Sequence, residues 1–167
     1  MVTVGEATDI IFNHLLKLPV ERIKLEGAVG RVLAEPVVAD RDFPPFNRVS
    51  MDGIAILYES WIKGRRHFPL EGTQAAGEPQ KSLSDAGHCI EVMTGAVLPS
   101  GCDAVIRYED IGMDTSGATI NADAVNQWQS IHLRGIDARK GQQILEPGLL
   151  LAPSEIALLS SVGKAEG

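Results

Sequence analysis

An Asp-Gly pair lies between two short apolar runs in residues 44–55, whose sequence is PPFNRVSMDGIA. The pair Asp52-Gly53 is typical of a tight turn between paired strands, which is a β-hairpin. Pro44-Pro45 requires extended backbone, so the segment predicts a crossover followed by strand, turn and strand. Such a turn presents the Asp52 carboxylate at its tip to a divalent metal ion. The turn by itself also accounts for an aspartate, because Asp tolerates this backbone well.

A second segment, residues 93–105 (MTGAVLPSGCDAV), repeats the order of strand, polar residue, glycine, loop and strand. The Thr94 hydroxyl next to the unhindered backbone of Gly95 is suited to hydrogen-bond an oxyanion, and glycine lets a ligand approach closely. A strand end leading into a proline-containing loop accounts for the same residues without a ligand. Both interpretations stay open from the pattern alone.

A third polar segment, residues 134–141 (RGIDARKG), alternates basic residues with a carboxylate around glycines. Arg134 and Asp137 in this pattern are able to bind a phosphate and a metal together. A solvated turn is equally consistent with them. The basic cluster at residues 63–67 (KGRRH) is interpreted as exposed loop surface and is given no role.

The charge balance excludes some function classes. The 167 residues carry a net charge of −7, from 15 basic and 22 acidic residues, which argues against non-specific binding to nucleic acid or to an anionic membrane surface. No basic start precedes an apolar leader, and no apolar window approaches the ~18 residues of a membrane span. Cys89 and Cys102 are too far apart for a Cys-x-x-Cys motif, and the four histidines show no zinc-ligand spacing. We expect a cytoplasmic protein with reduced thiols.

The local patterns predict helices at both ends and strands between them. Thr3 and Glu6 form a capping box, and the apolar spacing continues to Pro19. His14 lies on that apolar stripe and is interpreted as a partly buried core histidine. Pro153 begins a second helix that runs to about Ser161, although Ala152 is a poor N-cap and Gly163 a natural C-terminal cap. The predicted strands are residues 20–25, 49–51, 54–58, 88–93, 104–108 and 119–120. Residues 36–43 are predicted to be a strand followed by a loop, and residues 25–34 a helical turn.

Together these segments resemble the N-terminal part of the molybdopterin molybdenumtransferases of the MoeA and gephyrin E-domain type. The resemblance covers nearly the whole chain and includes residues 25–38, 76–78 and 153–163. It implies an α+β, mainly β fold with bifurcated sheets, in which an elongated mixed wing is interrupted by a small β domain. The wing is expected at residues 1–40 and 138–167, and the inserted β-rich domain at residues 41–137. The pterin-binding α/β domain and the C-terminal β domain of the family are expected to be absent from this chain.

The resemblance also implies an activity. Members of the family insert molybdenum from molybdate into adenylylated molybdopterin with magnesium, release AMP, and work as homodimers. Asp52, Thr94 and Asp137 match positions in the family's cleft, where Asp52 and Asp137 position Mg²⁺ and the transferred oxyanion. Thr94, Gly95 and Arg134 are expected to bind the substrate. The fragment by itself is expected to be inactive.

The chain departs from the family pattern at a few positions. Residues 47–50 read NRVS where many relatives read DNSA, and Ile54 replaces a usual tyrosine. Ile136 replaces a glutamate, while His132 and Leu133 stand where arginines are common. These departures do not change the predicted fold and concern the anion-binding surface near Asp137. Two alternatives remain: a non-catalytic dimerisation or scaffold module on the same fold, and a generic β-rich domain whose motifs are only turns.

Overall fold

The computed structural model describes residues 2–16 and 18–164. It is a mixed α+β fold in which strands predominate. The helices are α1 (Val4–Asn13), α2 (Tyr58–Ile62) and α3 (Pro153–Ser161), with 3₁₀ turns at Leu25–Gly27 and Tyr108–Asp110. The strands are β1 (Val37–Val38), β2 (Arg48–Val49), β3 (Gly53–Ile56), β4 (His67–Phe68), β5 (Leu70–Gln74), β6 (Cys89–Val92), β7 (Ala104–Arg107), β8 (Ile111–Asp114), β9 (Gly117–Ile120), β10 (Ile131–His132) and β11 (Gln143–Leu145).

The chain forms two compact units. One comprises residues 1–37 and 145–167, and the other comprises residues 38–144. The division into a wing and an inserted domain, with boundaries at 40/41 and 137/138, stays a prediction. The proline pair that suggested a crossover between sub-domains therefore lies inside the second unit.

The N-terminal helix begins as predicted but ends earlier. Thr3 Oγ1 accepts the Glu6 N–H at 3.3 Å, and Glu6 Oε2 accepts the Thr3 N–H at 2.8 Å, which completes the capping box. The helix ends at Asn13, so its predicted extension to Pro19 is wrong. His14 is exposed and its Nδ1 lies 2.8 Å from the Ile10 oxygen, so its interpretation as a core histidine is also wrong. The reason is that α1 buries none of its residues.

The other elements of the first unit follow local signals more closely. Helix α3 begins at Pro153 and ends at Ser161 as predicted, and Gly163 has the left-handed φ of +75° expected of a C-terminal cap. The Ala152 N–H donates to Glu155 Oε2 at 3.0 Å, which supplies the half of a capping box that an alanine permits. The strand predicted at residues 20–25 is wrong: only Lys24 makes a β-bridge, and Leu25–Gly27 is a 3₁₀ turn.

A four-stranded sheet forms the centre of the second unit, in the order β5-β6-β3-β7. Strand β3 is antiparallel to both of its neighbours, and β5 is parallel to β6. One face of this sheet packs against the antiparallel sheet β4-β9-β8 and against α2. The residues in contact there are Ile54, Ile56 and Ile106 of the central sheet, Phe68 and Ile120 of the second sheet, and Trp61 of α2. On the other face, Ala55, Val92 and Val105 pack with Val49, Leu98 and Ile131. All four residues of β3 are buried because both faces of the sheet are covered.

The predicted hairpin at Asp52-Gly53 is wrong. Strand β2 pairs with β10, with Val49 opposite Ile131, whereas β3 pairs with β6 and β7. The turn therefore joins strands of two different sheets. A Cβ at position 53 would lie 1.9 Å from the Ile106 carbonyl oxygen, so glycine is needed here for close strand contact. A tight turn and a close contact between strands both favour glycine. The Asp-Gly pair in the sequence therefore does not reveal which of the two applies at Gly53.

The remaining predicted strands of this unit are present with shifted ends, as β2, β3, β6, β7 and β9. After β3 the chain turns into the short helix α2 instead of extending to Tyr58, because the Tyr58 N–H donates to Asp103 Oδ1 at 2.6 Å. Strands β4, β5, β8, β10 and β11 were not predicted. Two of these have only two residues, too few for a periodic pattern.

The two cysteines are free and buried, as predicted for reduced thiols. Cys89 and Cys102 pack on opposite faces of the central sheet. Burial raises the pKa of each thiol to about 12. No helix of the described residues is long and apolar enough to cross a membrane.

Candidate functional site

Asp52 lies between the end of β2 and the start of β3 and is held on both sides by backbone hydrogen bonds. The Ser50 N–H donates to the Ser130 oxygen at 3.0 Å, and the Tyr108 N–H donates to the Asp52 carbonyl at 3.2 Å. The side chain of Asp52 is exposed, whereas the adjacent Gly53 is buried in the central sheet. The sheet core thus fixes the backbone of a carboxylate that stands at the surface.

Thr94 binds this carboxylate through two donors. Its backbone N–H lies 2.6 Å from Asp52 Oδ1, and its hydroxyl lies 2.7 Å from the same oxygen. The hydroxyl bond first, and then the backbone bond, lower the pKa of Asp52 below its ordinary value. Asp52 is therefore a fixed anion at neutral pH, with one oxygen fully engaged by Thr94.

The donors expected to bind a substrate oxyanion are occupied in this structure by the protein itself. Thr94 uses both of its donors on Asp52, and the Gly95 N–H donates to the Val49 oxygen at 2.9 Å. Gly95 has a left-handed φ of +88°, so the turn requires glycine whether or not a ligand binds. Thr94 is accordingly a positioning residue for Asp52 here, and direct substrate contacts of Thr94 and Gly95 stay predictions.

The second oxygen of Asp52, Oδ2, accepts no hydrogen bond from the described residues. An exposed, ionised carboxylate oxygen of this kind fits Mg²⁺, which usually takes only one or two protein carboxylates along with waters and substrate phosphates. Within residues 2–16 and 18–164, no three His, Cys, Asp or Glu side chains lie close enough to hold a metal ion by themselves. A magnesium ion held by Asp52 would therefore need further ligands, such as waters or phosphate oxygens.

Arg134 belongs to a second polar group, organised by Asp42. Its Nε donates to Asp42 Oδ2 at 2.6 Å, and its backbone N–H donates to Asn47 Oδ1 at 2.9 Å. The Lys140 N–H binds the other Asp42 oxygen at 2.9 Å. Both bonds lower the pKa of Asp42, and the bond from the Lys140 N–H contributes more than the bond from the Arg134 side chain. Asp42 and Asn47 could not be identified from the sequence, since Asp42 and Arg134 are 92 residues apart and no local pattern links them.

Asp137 is exposed in the middle of the loop formed by residues 134–141. Its backbone N–H donates to the Phe43 oxygen at 2.9 Å. Among the described residues, no hydrogen bond or ion pair joins its carboxylate to Asp52, to Thr94 or to any other side chain. Of the departures near it, Ile136 and Leu133 are exposed and His132 Nδ1 lies 3.0 Å from an Arg48 nitrogen. A common function of Asp52, Thr94 and Asp137 stays a prediction.

Residues 47–52 connect the two polar groups. Asn47 binds Arg134 at one end of this segment, and Asp52 binds Thr94 at the other. Between them, the Val49 N–H donates to the Ala96 oxygen at 2.9 Å, which attaches β2 to the segment that carries Thr94. This short part of the first motif therefore contacts both the second motif, residues 93–105, and the loop at residues 134–141.

Comparison with known proteins identifies one family and relatives that share one name. A family described as "MoeA N-terminal region (domain I and II)" matches residues 2–163. A protein of Synechocystis sp. named molybdopterin molybdenumtransferase is 42% identical over 99% of this chain and 43% of its own length. A protein of the same name from Haemophilus influenzae is 29% identical over 99% of this chain and 41% of its own length.

The fold is found in solved structures as well. The crystal structure of a molybdopterin biosynthesis moeA protein from Pyrococcus horikoshii OT3 superposes with a TM-score of 0.91 and is 31% identical. The match covers 99% of this chain and 45% of that protein. The chain thus spans less than half the length of these relatives.

Proposed function

Because the chain belongs to the family of the MoeA N-terminal region, we propose that it forms part of a molybdopterin molybdenumtransferase. In this proposal it supplies one wall of the cleft where molybdenum from molybdate is inserted into adenylylated molybdopterin, with release of AMP. The observation that carries the proposal is the Asp52 carboxylate, fixed through Oδ1 by two bonds from Thr94.

Cleavage of a phosphoanhydride requires charge neutralisation and accurate positioning more than covalent catalysis. Thr94 contributes positioning, because its two bonds define the rotamer of Asp52 and keep it ionised. The core of the central sheet contributes rigidity, because Gly53 next to Asp52 is fully enclosed. The wall is in this way preorganised before any substrate binds.

We propose Mg²⁺ as the cofactor, with Asp52 as a ligand and Asp137 as a candidate second ligand. When bound, magnesium supplies charge neutralisation at the phosphate oxygens. Asp52 Oδ2 is the atom of this site that is open to such an ion, since Oδ1 is bound to Thr94.

Arg134 is proposed to bind an oxyanion of the substrate. Asp42 accepts a hydrogen bond from Arg134 Nε. The two terminal nitrogens of the guanidinium have no partner among the described residues. The side chain remains 64% exposed in this ion pair. Asp42 therefore orients the guanidinium while its outer nitrogens stay accessible to a phosphate or molybdate oxygen.

The proposal includes a cytoplasmic homodimer. Helix α1 exposes Ile10, Ile11 and Phe12, each more than half accessible, which supports an interface with another protein surface. The same observation supports the second candidate function, a non-catalytic dimerisation or scaffold module. The two functions differ in what they require of Asp52, because a scaffold does not need an ionised carboxylate at that position.

The first test uses a chimera of this chain and the remainder of the Synechocystis relative, joined after Gly167. With magnesium, molybdate and adenylylated molybdopterin, we expect the chimera to release AMP and the 167-residue chain alone to release none. Asp52→Asn in the chimera should lower the rate of AMP release by at least about tenfold, a typical effect of removing one charged group from such a site.

Asp123→Asn is the matched control, since Asp123 is also an exposed carboxylate of the second unit. It should leave the rate of AMP release unchanged, and thermal unfolding should show that both variants fold. A folded Asp52→Asn chimera with full activity would exclude the proposed role of Asp52. An unmodified chimera that folds but releases no AMP would favour the scaffold function.

A further inference from the structure

A groove of about 700 Å³ lies between the end of α2 and the turn at residues 85–87. Its lining includes Ser60, Lys63, Arg65, His67, Asp85 and Gly87. It shares no residue with the Asp52–Thr94 and Asp42–Arg134 groups. Its basic residues belong to the cluster at residues 63–67 that the sequence analysis left without a role.

The walls of the groove are held in place by hydrogen bonds. Ser60 Oγ of α2 donates to the Ala86 carbonyl at 2.5 Å, which attaches the turn to the helix. The Gly87 N–H donates to Asp85 Oδ1 at 2.7 Å, and the Asp85 N–H donates to Glu71 Oε1 of β5 at 3.0 Å. The turn is therefore fixed to both the helix and the central sheet.

Arg65 lies directly against the backbone of Gly87. A Cβ at position 87 would be 2.8 Å from Arg65 Cζ and 2.9 Å from Nη2, so only glycine lets the guanidinium lie there. Among the described residues, no carbonyl or carboxylate accepts a hydrogen bond from this guanidinium. It is therefore an exposed cation next to the turn with its donors available, unlike Arg66, whose Nη1 binds the Trp61 carbonyl and whose Cζ lies 3.5 Å from the Trp61 ring centroid.

Lys63 provides the second positive charge. Its ammonium pairs with Glu59 at 2.7 Å, but the two side chains are 72% and 63% exposed. Exposed pairs of this kind contribute little and exchange easily for a stronger anionic partner. His67 contributes no free donor, because Nδ1 lies 3.0 Å from the Thr119 hydroxyl and Nε2 lies 3.3 Å from the Ser116 hydroxyl.

Asp85 adds an acceptor to the same groove. Its Oδ1 binds the Gly87 N–H, which leaves Oδ2 without a bond from the described residues. A carboxylate beside two cations disfavours a bare multivalent anion and favours a ligand that carries a hydroxyl as well as an oxyanion. The volume of the groove is within the usual range of small-molecule sites, about 300–1,000 Å³.

We infer that this groove binds a hydroxylated phosphate monoester, such as a sugar phosphate. The phosphate contacts the guanidinium of Arg65 and the ammonium of Lys63, and a ligand hydroxyl donates to Asp85. Arginine presents paired donors that match two phosphate oxygens, and the missing side chain at Gly87 leaves room for this guanidinium against the turn.

The test is a titration of the 15N-labelled chain with ribose 5-phosphate at low ionic strength, followed by amide chemical shifts. We expect saturable shifts at residues 60–67 and 85–87. Arg65→Gln should raise the dissociation constant at least about tenfold, as expected for the loss of a charge-assisted hydrogen bond. Arg107→Gln is the control, because Arg107 is an exposed arginine of the same unit that pairs with Asp110, and it should not change the constant.

Inorganic phosphate tests the hydroxyl contact. It should bind more weakly than ribose 5-phosphate, and Asp85→Ala, which removes every polar atom of the side chain, should remove this difference. Equal affinity of the two probes in the unmodified chain would overturn the role of Asp85. Absence of saturable shifts in the groove, or an Arg65→Gln variant that binds as tightly as the unmodified chain, would overturn the site itself. Asp52→Asn should leave this binding unchanged, so the result is independent of the proposed transferase function.

Discussion

Thr94 directs its backbone N–H and its hydroxyl to a single oxygen of Asp52, at 2.6 and 2.7 Å, across 42 residues of sequence. The two motifs that stand out in the sequence are therefore parts of one structural unit. The arrangement leaves the other carboxylate oxygen open and keeps the group ionised. It also explains why a threonine follows β6: the residue orients a carboxylate that belongs to a different strand connection.

The Thr94 hydroxyl is expected to control the acidity of Asp52. Thr94→Val keeps the backbone N–H but removes the hydroxyl, so the pKa of Asp52 should rise toward its ordinary value of 3.8. The side-chain carboxyl 13C shift, followed by NMR as a function of pH, measures this directly. Thr94→Ser keeps the hydroxyl and should keep the low pKa. An Asp52 pKa that is the same in the valine variant and the unmodified chain would show that the hydroxyl bond is unimportant in solution.

Glu71 should make stability depend on pH at the acid end. The Ser84 N–H and hydroxyl, the Asp85 N–H and His88 together lower its pKa from 4.5 to about 2. A carboxyl whose pKa is lower in the folded state stabilises that state above the unfolded pKa, and this contribution disappears as pH falls through the folded pKa. Glu71→Gln should therefore have a lower urea midpoint than the unmodified chain at pH 7.

The difference caused by Glu71→Gln should shrink between about pH 4.5 and about pH 2, as the carboxylate of the unmodified chain takes up its proton. Urea unfolding at a series of pH values measures it. Glu146→Gln is a suitable comparison, because Glu146 is an exposed carboxylate in a loop. A midpoint difference for Glu71→Gln that stays constant from pH 7 to pH 2 would contradict the linkage.

Gly53→Ala should destabilise the second unit strongly. The added Cβ would lie 1.9 Å from the Ile106 oxygen and 2.8 Å from the Arg107 Cα, so strand β7 would have to move away from β3. We expect a loss of about 3 kcal/mol in the free energy of unfolding, measured by urea denaturation. Gly112→Ala is the matched control. Its Cβ would meet only the Asn121 amide nitrogen at 3.5 Å, an ordinary contact, and should change stability little.

Equal unfolding free energies for the Gly53→Ala and Gly112→Ala variants would mean that the β3–β7 contact relaxes easily. If Gly53→Ala is destabilising but still folded, its Asp52 pKa is informative as well. A displaced β3 should weaken the Thr94 bonds and raise that pKa, because Asp52 immediately precedes the strand.

Features with a local cause could be predicted from the sequence. The capping box of Thr3 and Glu6 sets the start of α1, and Pro153 and Gly163 delimit α3, because each acts on backbone groups within a few residues. The apolar β3 was also found, since a strand that is buried on both faces is apolar at every position. The mainly β class of the chain follows from such runs and from the turns between them.

Contacts between residues that are far apart in the sequence were decided only by the tertiary structure. An Asp-Gly pair selects a turn, but whether the flanking strands pair with each other depends on β6, β7 and β10, which compete for them. The length of α1 and the exposure of His14 depend on what packs against the helix, and the spacing of its apolar residues in the sequence does not show this. The partners of Asp52 and Arg134 lie 42 and 92 residues away, so only the folded chain could bring them together. The sequence by itself determined which residues are chemically capable, and the packing of the sheets decided which of them meet, because a side chain's chemistry is local whereas its neighbours are set by the whole fold.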